Sequence, residues 1–79
     1  MKNKAVLAFK EKTDFRKAVY DGNWRSQYNA LFFKGRLVAK YTNELETYPV
    51  RLPDVGFESQ TFNAINRVVD LLEKHYRDV

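Results

Sequence analysis

Across residues 59–75 the apolar positions fall at Phe62, Ile65, Val69 and Leu72, with Tyr76 just beyond. Steps of three and four trace one face of an α-helix. Val68 and Leu71 widen the stripe, as a helix lying on a sheet requires. Asn63, Asn66, Arg67, Asp70, Glu73 and Lys74 fill the opposite side. Ser59 fits the N-cap, where its hydroxyl can accept from an unpaired backbone N–H.

Upstream the pattern changes to alternation broken by turn residues. Asp21-Gly22 is a strong hairpin signal, because glycine takes positive φ without steric cost. Lys34-Gly35 is a weaker one. Together they predict strands over 15–20, 24–33 and 36–42. The segment 47–52 alternates Tyr48, Val50 and Leu52, and Pro49 inside it cannot donate to a ladder, which predicts an edge strand. The short apolar run 5–10 predicts a further strand, and Pro53-Asp54-Val55-Gly56 a turn. Residues 13–20 also fit a short helix capped by Thr13, with Phe15, Ala18 and Val19 on one face. The strand is preferred, because Asp21-Gly22 then closes a hairpin onto Trp24. The expected architecture is α+β. It has a small antiparallel sheet of four to five strands in a meander, with one C-terminal α-helix packed on one face, in a single domain over 1–79.

The two turns fix a register, and side chains alternate faces along each strand. Val19 is then expected to face Trp24, Phe15 to face Tyr28, Phe32 to face Leu37, Ala30 to face Ala39 and Tyr28 to face Tyr41. All of these share one largely apolar face, which the helix would cover. Trp24, Tyr28, Phe32, Leu37, Phe62, Ile65, Val69 and Leu72 are the expected core. The opposite face collects Arg16, Ala18, Tyr20, Arg25, Gln27, Asn29, Leu31, Phe33, Arg36, Val38 and Lys40.

Composition narrows the possibilities. The chain has 79 residues, no cysteine and one histidine. Disulfides and Cys-ligated metals are excluded, and a zinc site nearly so. The core must come from packing alone, helped by six Phe, five Tyr and one Trp. A second copy of the chain would enlarge a core this thin, and the wide helix stripe and the Pro49 edge are compatible with a homodimer. The run after Lys2 and Lys4 is too short for a signal-peptide core or a membrane span. A cytoplasmic protein is expected, or a viral one acting in a host cytoplasm, with no membrane partner.

Charge is uneven. The formal net charge is +4. Residues 1–40 carry ten Lys/Arg against Glu11, Asp14 and Asp21, whereas residues 41–79 carry four against seven acids. Such asymmetry points to a polyanion or an acidic protein surface as partner, although net charge also serves solubility. The expected basic face offers cations for phosphates, and Tyr20 and Phe33 as rings on which unpaired bases stack. Gln27 and Asn29 could bond base edges. The candidate site is therefore Arg16, Tyr20, Arg25, Gln27, Asn29, Phe33, Arg36 and Lys40. Its ligand is nucleic acid, RNA rather than DNA, since no helix-turn-helix or basic recognition helix is present. A solvated polar sheet face would look similar. The alternative is a small phage-type inhibitor or adaptor that binds an acidic or nucleic-acid-binding site of a host protein or defence system.

Catalytic signals are weak. His75 sits in the last predicted helical turn, where its charge suits the helix dipole. Glu44 and Glu46 read as a solvated loop. Gly22, Gly35 and Gly56 form no phosphate-binding loop, and Ser26 and Ser59 lack the flanking glycines of a nucleophile elbow. A non-enzymatic regulatory binding protein without a cofactor is the expectation.

Overall fold

The structure, a computed structural model, describes residues 3–12, 16–50 and 59–77. Helix α1 spans Lys4–Lys10, and five strands follow: β1 (Val19–Asp21), β2 (Trp24–Gln27), β3 (Ala30–Phe33), β4 (Arg36–Tyr41) and β5 (Leu45–Thr47). Helix α2 runs Ser59–Arg77. The strands form one antiparallel sheet in the order β1-β2-β3-β4-β5, so every neighbour in space is a neighbour in sequence. The α+β meander with a C-terminal helix packed on the sheet is as the sequence predicts.

The first element differs. Residues 5–10 are helical, not extended. The Asn3 side chain accepts from the backbone N–H of Ala5 (3.0 Å) and Val6 (3.2 Å), capping two donors that a short helix otherwise leaves bare. Ala5, Val6 and Phe9 are buried, while Leu7 points outward. A strand would have put Leu7 on the same face as Ala5 and Phe9. Asp21 anchors the helix start: its carboxylate accepts from Lys4 N–H at 2.8 Å, and its carbonyl accepts from the Asn3 amide at 3.3 Å.

Three further corrections concern register. The expected strand 24–33 is broken by a two-residue turn at Tyr28-Asn29, whose φ values are +54° and +57°. Asn tolerates this left-handed conformation; Tyr does so at some cost. The first hairpin turns at Gly22-Asn23, one residue later than expected, so Asp21 pairs with Trp24 and Val19 with Ser26. Opposite Leu31 and Phe32 the β3–β4 pairing shifts by one residue, and Val38 and Ala39 are both buried there.

These changes exchange the faces. A two-residue turn makes residues 27 and 30 partners on the same side, whereas a continuous strand would place them on opposite sides. Leu31, Phe33 and Val38 are therefore core, not outer-face residues. Tyr28 is exposed, and Ala30, Phe32 and Leu37 are half-buried on the outer side. Trp24 is buried as expected and meets Phe33 edge-on, with ring centroids 4.8 Å apart at 67°.

The remaining differences are boundaries. Strand β1 spans Val19–Asp21, sharing only Val19 and Tyr20 with the expected 15–20 and running on into the expected turn, and Phe15 lies outside the described residues. Strand β5 lies at an edge, but ends at Thr47, before Pro49. The expected turn 53–56 and residues 51 and 52 lie outside the described residues.

Helix α2 keeps its predicted stripe. Ile65, Val68, Val69 and Leu72 are buried, with Phe62, Leu71 and Tyr76 packed around them. Asn66 clamps the segment after β5: its side chain accepts from Val50 N–H at 2.9 Å and donates to Val50 carbonyl at 3.0 Å. The Tyr76 hydroxyl shares its single proton between the carbonyls of Lys10 (3.0 Å) and Phe9 (3.3 Å), tying the two helix ends together. Burial, and then the neighbouring Tyr41, raise the Tyr76 pKa above its ordinary 10.0, so the phenol keeps the proton it donates. Among the described residues no helix is long and apolar enough to cross a membrane.

Candidate nucleic-acid interface

Both helices contribute to a single core with the inner face of the sheet, and no described element packs on the other face. Across that outer face the register sets Tyr20 beside Arg25, Arg25 beside Phe32 and Phe32 beside Leu37. Directly opposed residues on antiparallel strands share a face, with their Cβ atoms within contact range. The result is a cross-strand row of ring, guanidinium, ring and isobutyl group.

The row has defined geometry. Tyr20 is 66% exposed, so its ring is presented to solvent. The Arg25 guanidinium carbon lies 4.3 Å from the Phe32 ring centroid, a cation–π contact that restrains both side chains. The Arg25 Nε is buried without a hydrogen-bond acceptor among the described residues. Such a donor is costly to leave unmade.

A second row runs parallel, with Gln27 beside Ala30, Ala30 beside Lys40 and Lys40 beside Glu46. The Gln27 amide donates to the Arg16 carbonyl at 3.4 Å, which brings Arg16 to the margin of the face. Lys40 lies 3.5 Å from the Glu46 carboxylate, which also accepts from the Tyr48 hydroxyl at 2.9 Å. The Glu46 charge, then Tyr48, raise the Lys40 pKa. Lys40 is thus fully cationic but largely offset by its partner.

Of the candidate residues, the structure gathers Tyr20, Arg25, Gln27 and Lys40 on one face, with Arg16 alongside. Asn29 lies at the β2–β3 turn, where its carbonyl accepts from Tyr41 N–H at 2.8 Å. Phe33 is only 6% exposed and belongs to the core, so it offers no stacking surface. Arg36 pairs with Phe33 and therefore sits on the helix side of the sheet, at its end. Phe32 and Leu37 take the places on the outer face that the sequence reading gave to Phe33 and Val38. The one signal for this was Asn29, a residue that accepts positive φ in a turn without glycine.

Among the described residues no group of three or more His, Asp or Glu side chains could hold a metal ion. Compared with protein-family models, with curated proteins and with solved structures, the chain matches none.

Proposed function

We propose that this chain is a non-enzymatic binding module whose ligand is single-stranded nucleic acid, RNA in preference to DNA, held on the outer face of the sheet. The observation that carries this reading is the row Tyr20–Arg25–Phe32. It pairs an exposed ring with a guanidinium already restrained on a second ring. Unpaired bases stack on such rings and guanidinium planes, and Arg25, with Arg16 at the margin of the face, would supply positive charge for the intervening phosphates. Gln27 supplies an amide for a base edge or a ribose hydroxyl. Because Glu46 offsets Lys40, stacking carries more of the affinity than charge does. A cysteine-free chain of this kind suits a reducing compartment, the cytoplasm.

The test is binding of nuclease-treated protein to fluorescent single-stranded RNAs and DNAs across a range of salt. With two or three phosphates contacted, the logarithm of affinity should fall with the logarithm of salt at a slope of about −2. Tyr20→Ala should weaken binding about tenfold and Arg25→Glu more, as expected for loss of one stacked base and one phosphate contact. Arg67→Glu, on the exposed side of α2, should change little. Equal affinities for all three variants would remove the face from consideration.

A second reading rests on Ala30, Phe32 and Leu37, which give the face an apolar centre within a polar rim. That arrangement also suits an acidic protein surface, with this chain as a small inhibitor or adaptor. Leu37→Ala separates the two. It should cost a protein complex most of its affinity and an RNA complex little.

A further inference from the structure

The helix ends enclose a second site, unrelated to the outer sheet face. A cleft of about 420 Å³ is lined by Tyr41 of β4, His75 and Tyr76 of α2, and Glu11, Lys12 and Glu44 from the connecting segments. The Tyr41 and Tyr76 rings lie 5.0 Å apart, inclined by 30°, and the His75 ring meets Tyr76 at 81°. Tyr76 is fixed by its hydroxyl bonds to the end of α1. The rings are therefore a preformed wall. A cation already sits against it: the Lys12 ammonium lies 3.7 Å from the Tyr41 centroid and 5.5 Å from that of Tyr76.

We propose that this cleft is a binding site for an organic ammonium group, and that the Lys12 side chain occupies it in place of an external ligand. Three features favour a cation. The rings offer their negative faces, on which alkylated ammonium groups are held most strongly because they shed water easily. The C-terminal turn of α2, the negative end of its dipole, lies at the cleft and stabilises positive charge there. Without the Lys12 ammonium the lining carries Glu11 and Glu44 against Lys10 alone, so its balance is acidic. Lys12 is exposed and holds a left-handed backbone conformation with φ of +53°, which a lysine adopts at some cost. Among the described residues its ammonium makes no hydrogen bond with the core, so its departure breaks none. It acts as an intramolecular competitor that an incoming ammonium displaces.

The experiment follows the tyrosine ring NMR signals of the full chain during titration with tetramethylammonium chloride and with N-acetyl-trimethyllysine amide. Sodium chloride at matched ionic strength is the reference. The Tyr41 and Tyr76 signals should move with the organic ammonium salts and not with sodium. Lys12→Ala should tighten binding about tenfold, as loss of a competitor at millimolar or higher effective concentration requires. Glu44→Lys, in an exposed loop, should weaken it several-fold with the spectrum otherwise folded. Tighter binding of the trimethyllysine derivative identifies a side chain of a partner as the source, and equal binding a free amine. Ring signals in Lys12→Ala that respond no more than to sodium overturn the proposal. So does an affinity that Lys12→Ala leaves unchanged.

Discussion

The two faces of the sheet are built from neighbouring residues of the same strands, yet they have opposite fates. Phe33 and Leu31 point inward and are buried; Phe32, between them, points outward and carries a guanidinium on its ring. Residue type does not separate them, since two are phenylalanine. The Tyr28-Asn29 turn does, because it sets which parity of β3 meets the helices. Chemistry that could serve binding is thus distributed by backbone geometry, one turn away.

The largest effect expected from breaking this contrast is in the core. Phe33→Ala removes a ring packed on Trp24 and should cost about 3–5 kcal/mol in chemical denaturation. Phe32→Ala, half-exposed on the other side, should cost about 1 kcal/mol. Similar losses for both would mean that the faces are not distinct. The turn comes next. Asn29→Val forces a β-branched residue to φ near +57° and should destabilise by about 1–3 kcal/mol. Asn29→Gly should be tolerated, since glycine takes that conformation freely. The smallest effect concerns pH. The Tyr76 pKa is raised, so its contribution is fully present below the ordinary tyrosine value of 10.0 and is lost as pH rises through the folded value. The raised Lys40 pKa acts in the same direction. Thermal melts above pH 10.0 should show falling midpoints, with a shallower fall in Tyr76→Phe.

The sequence made α2 legible because seven apolar residues in its length keep one helical phase, which no strand can satisfy. The Lys34-Gly35 hairpin was legible for a different reason, glycine at a positive φ of +81°. Where the reading failed, two signals of similar strength competed. In 5–10 the run Ala-Val-Leu-Ala-Phe is too short for its period to decide, and the deciding group was the Asn3 cap. At the first hairpin, Gly22 serves equally well as the first or second turn residue, and long-range bonds from Lys4 and Asn3 to Asp21 accompany the later turn. At Tyr28-Asn29 no glycine marks the break, so β2 and β3 read as one strand. The candidate site inherits that last error. Tyr20, Arg25 and Gln27 precede the turn and fall where expected, whereas Phe33 and Arg36 follow it and do not.

The order β1-β2-β3-β4-β5 also governs how the chain can reach this state. Each strand pairs with the next, so the sheet assembles from short loop closures, which are fast. The bonds from the Tyr76 hydroxyl to Phe9 and Lys10 span 67 and 66 residues, far more than any strand pairing of the meander. Loop-closure entropy disfavours so long a link until the meander has bent back on itself. A contact missing from the folding transition state affects how long the folded chain lasts more than how quickly it arises.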